Sequence, residues 1–177
     1  MERNKNRMLE VHPWGNFVPK NCRYLFLGSF PGKLDEGNNW FYGSKRNQFW
    51  KILEAVYGRT LSSIAEKQKL LKNIRFAMAD VILSCERKKD TNLDANLTKI
   101  TYNKKAITKI LRTNKIKKIF FTSKFVENLF KNVFPNHLNL FPVTNLYTLP
   151  SPSPRFAKMT LEEKIRSYRK LLPFNLI

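Results

Sequence analysis

The nine residues Tyr24-Leu25-Phe26-Leu27-Gly28-Ser29-Phe30-Pro31-Gly32 pass from an apolar run straight into a turn holding two glycines and a proline. A short apolar run closed by turn residues reads as a strand buried on both faces, the kind found in parallel sheets. Similar runs follow at 76–83, 118–121 and 143–149. Helical spacing fills the stretches between them. Residues 47–57 carry Phe49, Trp50, Leu53 and Val56, and residues 61–71 carry Ile64, Ala65 and Leu71. Ser123 is placed to cap a helix bearing Phe125, Leu129 and Phe130. Thr160 and Glu163 form a capping box ahead of Ile165, Tyr168 and Leu172. Strands alternating with helices predict an α/β fold, a three-layer α/β/α sandwich around a mainly parallel four-stranded sheet.

Length and composition agree with one domain over residues 1–177, with 1–8 expected to form a loose basic tail. Lys and Arg number 33 against 13 Asp and Glu, a net charge of +20. Such a surplus favours polyanionic partners, nucleic acid first among them. Lys105, Lys109 and Arg112 recur at i, i+4 and i+7 opposite Ile107, Ile110 and Leu111, which makes a helix with a basic side and a core side. Further cations cluster at 87–89 and 115–118. Two cysteines cannot build a disulfide scaffold or a four-thiolate cluster, and two histidines argue against a His-based metal site. No apolar stretch reaches the ~18 residues of a membrane span. No apolar signal core follows the basic N-terminus before Pro13 and Asn16. The expectation is a cytoplasmic monomer without cofactor or metal.

In parallel sheets the working surface lies in the loops after the carboxyl ends of the strands. Two of these loops are stiffened by proline: Gly28-Ser29-Phe30-Pro31-Gly32 and Pro150-Ser151-Pro152-Ser153-Pro154-Arg155. A doubly wound protein that binds a nucleotide would carry G-x-G-x-x-G or a Walker sequence after its first strand, and neither is present.

These residues resemble a known family. Leu27 to Gly32, followed by Trp40-Phe41-Tyr42-Gly43-Ser44-Lys45-Arg46-Asn47-Gln48-Phe49-Trp50, is similar to the first motif of the uracil-DNA glycosylase superfamily. The match is best to its hypoxanthine and mismatch-specific branches, where a G-x-x-P-G turn precedes an N-x-F-W helix start. The segment 149–155 resembles the second motif, a loop that enters the DNA minor groove. Ala79-Asp80-Val81-Ile82, with Cys85-Glu86-Arg87, resembles the central strand and its following turn, and residues 119–124 resemble the third strand with its helix. Four motifs in the family's order cover nearly the whole chain.

The resemblance implies a monofunctional DNA glycosylase of base-excision repair. Its chemistry is hydrolysis of the N-glycosidic bond of a flipped, deaminated base, hypoxanthine or uracil. The alternative is a DNA-binding relative with weak or absent catalysis. Where many relatives carry a water-orienting Asp or Asn this chain has Phe30, and where many carry His or Asn in the second motif it has Ser151. The hypoxanthine branch also lacks both, and its catalytic Asn maps to Asn47, which as an isolated residue reads equally as a helix cap. Asp80 aligns with a base-recognising Asn, with a buried structural carboxylate as the other reading. Gly28, Ser29, Phe30 and Tyr42 complete the expected base-binding set. Ser151 joins Asn47 as a catalytic candidate, and Pro150, Pro152, Ser153, Pro154 and Arg155 are the expected DNA contacts, with Arg155 at the wedge position. No motif lysine stands where a Schiff-base nucleophile is expected.

Overall fold

A computed structural model describes residues 8–33, 39–88, 93–142 and 144–174. In chain order the strands are β1 (Leu9–Val11), β2 (Tyr24–Gly28), β3 (Phe76–Asp80), β4 (Ile82–Arg87), β5 (Leu97–Tyr102), β6 (Lys118–Phe121) and β7 (Asn145–Thr148). The helices are α1 (Phe49–Tyr57), α2 (Ile64–Asn73), α3 (Lys104–Thr113), α4 (Lys124–Val133), α5 (His137–Leu140) and α6 (Leu161–Leu171).

Strands β3-β2-β6-β7 form the expected four-stranded sheet, and all three pairings are parallel. Alternate strand residues point to opposite faces. Leu25, Leu27, Ala77, Ala79, Ile119 and Phe121 pack with α3 and α4 on one side. Phe26, Phe76, Met78 and Phe120 pack with α1, α2 and α6 on the other. The result is the expected α/β/α sandwich. Burying each of these aromatic rings contributes about 2–3 kcal/mol. Ser63 and Thr160 both close capping boxes, and Ser123 accepts from the Val126 N–H, as its spacing predicts.

The single strand expected over 76–83 divides. After Asp80 the chain leaves the parallel sheet at Val81, whose N–H still bonds Gly28 O at 2.9 Å, while Ile82 N–H bonds Ser29 O at 3.0 Å. From Ile82 onward it pairs antiparallel with β1 and β5 in a second, three-stranded sheet of order β1-β4-β5. No glycine or proline marks the break, because it is made by the pairing partners and not by local chemistry. Strands β1 and β5 lie in segments without a buried apolar run, being partly solvated. Of the strand expected over 143–149, β7 occupies 145–148, and Val143 lies outside the described residues. The expected basic tail also lies outside them, apart from exposed Met8.

Candidate active site

A cleft of about 730 Å³ opens at the carboxyl edge of the parallel sheet. The loop after β2 lines it with Ser29 and Phe30, the end of β3 with Asp80, the end of β6 with Thr122, and the loop after β7 with residues 151–155. All four strands therefore deliver residues to one place. The chain passes from β2 to β3 on one side and on to β6 on the other, which opens the crevice at this topological switch.

Gly28 and Asp80 are register partners at the ends of β2 and β3, so their substituents share one face. A Cβ on Gly28 would collide with Asp80 Oδ1 and with the Tyr42 hydroxyl. The glycine is there for this close approach. Tyr42 holds φ at +55°, an uncommon backbone state for a tyrosine. One face of its ring is stacked on Phe49 at 4.2 Å. Thr122 Oγ1 donates to Leu27 O at 3.2 Å, so it accepts from the Tyr42 hydroxyl at 3.1 Å. Burial, and then the nearby Asp80 carboxylate, push that hydroxyl well above the usual tyrosine pKa.

Asp80 is 5% exposed and its Oδ2 accepts from His12 Nε2 at 2.9 Å. A second carboxylate, Asp94, lines the same cleft and accepts from Ser29 Oγ at 2.8 Å. Burial raises its pKa; the Ser29 hydrogen bond opposes this and the Asp80 charge adds to it. Phe30 packs edge-on to His12 with centroids 6.1 Å apart, and the Arg87 guanidinium lies 5.8 Å from its ring centre.

Asn47 stands just ahead of α1, and its Oδ1 accepts the Phe49 N–H at 2.9 Å. Gln48 is the N-cap, so Asn47 bonds the first residue of α1 from one position ahead of the cap. The amide nitrogen has no hydrogen-bond partner among the described residues, and Asn47 lines the cleft. The proline loop docks beside it: Gln48 N–H bonds Pro152 O at 2.9 Å. Lys164, 1% exposed, joins the two segments by donating to Gln48 Oε1 at 2.8 Å and Ser153 O at 3.0 Å. Ser151 Oγ and Ser153 Oγ accept from the Ser153 and Arg155 N–H groups, each at 3.3 Å, which tightens the loop.

The cleft brings together Ser29, Phe30, Tyr42, Asn47, Asp80 and residues 151–155, with exposed Lys45, Arg46 and Arg155 on its walls. Gly28 lies behind Asp80. Pro150 also stands back, its carbonyl accepting from Tyr168 Oη at 3.0 Å. The basic helix does not reach this surface. Arg112 instead lines a separate cavity of about 530 Å³ with Arg23, Lys115 and Lys117, where β2 and β6 begin. Arg87 in the cluster at 87–89 is held by Glu10 at 2.8 Å and Pro31 O at 3.0 Å, and Lys89 lies outside the described residues. His12, Asp94, Thr122 and Lys164 escape sequence reasoning. Only the capping box that starts α6 hints at the last, by fixing its helix. Among the described residues no cluster of three or more His, Cys, Asp or Glu could hold a metal ion, and no helix is long and apolar enough to cross a membrane.

Known proteins resemble this chain in sequence and in fold. A hypoxanthine DNA glycosylase of Methanosarcina barkeri is 29% identical over 109 residues, 60% of this chain and 67% of that protein. Its counterpart in Methanosarcina acetivorans is 31% identical over 72 residues, 40% of this chain and 46% of that one. The solution NMR structure of a candidate uracil DNA glycosylase from Methanosarcina acetivorans superposes with a TM-score of 0.63 at 21% identity, covering 93% of this chain and 99% of that chain, so the fold is shared. The family model for the uracil DNA glycosylase superfamily matches residues 15–172, which takes in the parallel sheet, β4 and β5, the proline loop and every cleft residue except Trp14, while β1 and His12 precede it. On that match, the chain belongs to the uracil DNA glycosylase superfamily.

Proposed function

We propose that this protein is a monofunctional DNA glycosylase that excises a deaminated base, hypoxanthine or uracil, flipped out of DNA into the cleft. The observation that carries this reading is the pairing, in one cationic cleft, of a carboxylate acceptor at Asp80 with a spare amide donor at Asn47. Deamination converts a ring nitrogen of adenine or cytosine from an acceptor into an N–H donor. A carboxylate accepts from N1–H of hypoxanthine or N3–H of uracil and repels the lone pair of the undamaged base. Flipping costs a few kcal/mol, least at a mismatched pair. Tyr42, backed by Phe49, and Phe30 supply rings for the flipped base to pack against, and Arg155 fills the space it leaves.

In the hydrolysis the C1′–N bond breaks with its electron pair going to the base. Water forms the new C1′–O bond and releases its proton to solvent. Negative charge developing on the base favours a preorganised donor, and Asn47 Nδ2 is that donor because its oxygen is engaged by Phe49. A carboxylate beside a departing anion slows the chemistry, so Asp80 trades rate for discrimination. No metal enters this scheme.

The test is single-turnover reaction of oligonucleotides carrying hypoxanthine, uracil or xanthine, single- and double-stranded, followed by alkali. Alkali-dependent cleavage is expected, insensitive to EDTA, and about 10²–10³-fold slower in Asn47→Ala. Full activity in that variant removes Asn47 from the mechanism. Absence of excision on every substrate, with tight salt-sensitive binding, identifies a non-catalytic relative. Phe30 where many relatives carry Asp or Asn, and Ser151 where many carry His or Asn, favour that second reading.

A further inference from the structure

His12 has no part in the proposed reaction, yet its side chain is almost wholly enclosed. Its side chain is 2% exposed, and the rings of Trp14, Phe30 and Phe41 surround it at centroid distances of 5.7, 6.1 and 5.4 Å. Its Nδ1 accepts the Trp14 N–H at 3.4 Å. The neutral ring therefore carries its proton on Nε2, which donates to Asp80 Oδ2 at 2.9 Å. Asp80 Oδ1, by contrast, has no partner among the described residues. It is not sealed off either, since no buried side-chain oxygen or nitrogen is left unpaired. Asp80 lines the cleft, with one carboxylate oxygen engaged by His12 and the other over Gly28 beside the Tyr42 hydroxyl.

We infer that His12 is a positioning residue that sets base specificity: it engages Oδ2 so that Asp80 presents Oδ1 alone, at a fixed angle, to the ring N–H of a deaminated base. The inference rests on the reading of Asp80 given above and adds its cause. A carboxylate free to turn about its last torsion could offer either oxygen and follow a base that lacks the donor. Held by a ring that is itself wedged among three aromatics, it cannot adapt. Rigidity of an acceptor is what makes a missing N–H costly. The ring is delivered by the chain just after β1, where His12 N–H bonds Leu83 O at 2.8 Å. The antiparallel sheet thereby gains a role in selectivity.

The test compares single-turnover excision of hypoxanthine with that of 1-deazahypoxanthine, in which C–H replaces N1–H. Wild type, His12→Phe, His12→Gln and Asp80→Asn are run in parallel, with thermal melts to confirm folding. Wild type should prefer hypoxanthine by roughly a hundredfold, the loss of one hydrogen bond to a charged group. His12→Phe should lose about tenfold or more on hypoxanthine alone, which narrows the ratio, because an unheld acceptor no longer demands its donor. His12→Gln, whose amide N–H can reach Oδ2, should restore most of the ratio. An equal loss on both substrates makes His12 merely structural, and an undiminished ratio in His12→Phe while Asp80→Asn loses it overturns the inference alone. Equal rates on both substrates in wild type overturn the Asp80 reading, and the inference with it. Should His12→Phe fail to fold, His12→Gln and the wild-type imidazole ¹⁵N spectrum decide. The Nε2–H tautomer is expected, and the Nδ1–H tautomer refutes the hydrogen bond from which the argument starts.

Discussion

Gly28 illustrates how a single residue couples strand register to chemistry. It ends β2 opposite Asp80, and its missing side chain is the space in which Asp80 Oδ1 and the Tyr42 hydroxyl sit. Gly28→Ala must therefore displace both, at a cost of about 1–3 kcal/mol in stability. Excision of the damaged base is expected to fall further than the loss of folded protein explains, since one of the displaced groups is the proposed base acceptor. Thermal melts beside single-turnover rates on the same samples separate the two effects. A variant that melts and reacts like wild type would show that the cleft floor yields freely. Asn47 shows the same economy: the bond its Oδ1 accepts from the Phe49 N–H orients the side chain, and with it the nitrogen proposed as donor.

Two helices hold the second motif from behind. In α4, Glu127 accepts from Lys124 and Lys131 and from Thr148 Oγ1, each at 2.6 Å, which ties the helix to the end of β7 just before the proline loop. These hydrogen bonds, that from Lys124 first, lower its pKa to about 2 from an ordinary 4.5. The folded form then holds the proton less tightly than the unfolded chain. The contribution to stability is present above pH 4.5 and disappears as pH falls through about 2. Glu127→Gln should accordingly melt lower than wild type at pH 7, with the gap closing over that acid range; a gap constant with pH would mean that packing, not charge, holds β7. On the opposite face, α6 places Lys164 against Gln48 and Ser153, and burial lowers its pKa.

Across the whole molecule the net charge of +20 is spread unevenly. Carboxylates sit inside the cleft and cations line its walls, while the basic side of α3 and the cavity of Arg23, Arg112, Lys115 and Lys117 belong to other surfaces. Duplex affinity should fall steeply with salt, and Arg155→Ala should lower the slope of log K against log salt by about 0.9 if the residue meets one phosphate. As a wedge, the same residue should matter mainly for duplexes that contain a flippable lesion. Binding titrations at several salt concentrations, with damaged and undamaged duplex, distinguish the two. Unchanged affinity in both removes Arg155 from the interface.

The strands of the parallel sheet, the glycine–proline turn, the helix that opens at Asn47 and the proline loop were legible in the sequence. Each depends on neighbours within a few positions: apolar runs, caps and fixed φ angles act locally. Asp80 was visible only through the family resemblance, because the apolar run reads straight through it to residue 83. His12 and Asp80 are separated by 68 residues, Ser29 and Asp94 by 65, and Gln48 and Lys164 by 116. No periodicity or spacing records such pairs. They exist because β3 breaks at Val81 into a second sheet that carries His12 and Asp94 to the cleft, and because α6 packs across α1. Local chemistry determined the parallel strands, the turns and the helices; only tertiary pairing decided where β3 gives way to the second sheet and which polar groups share a low-dielectric cleft, where hydrogen bonds and buried charges act most strongly.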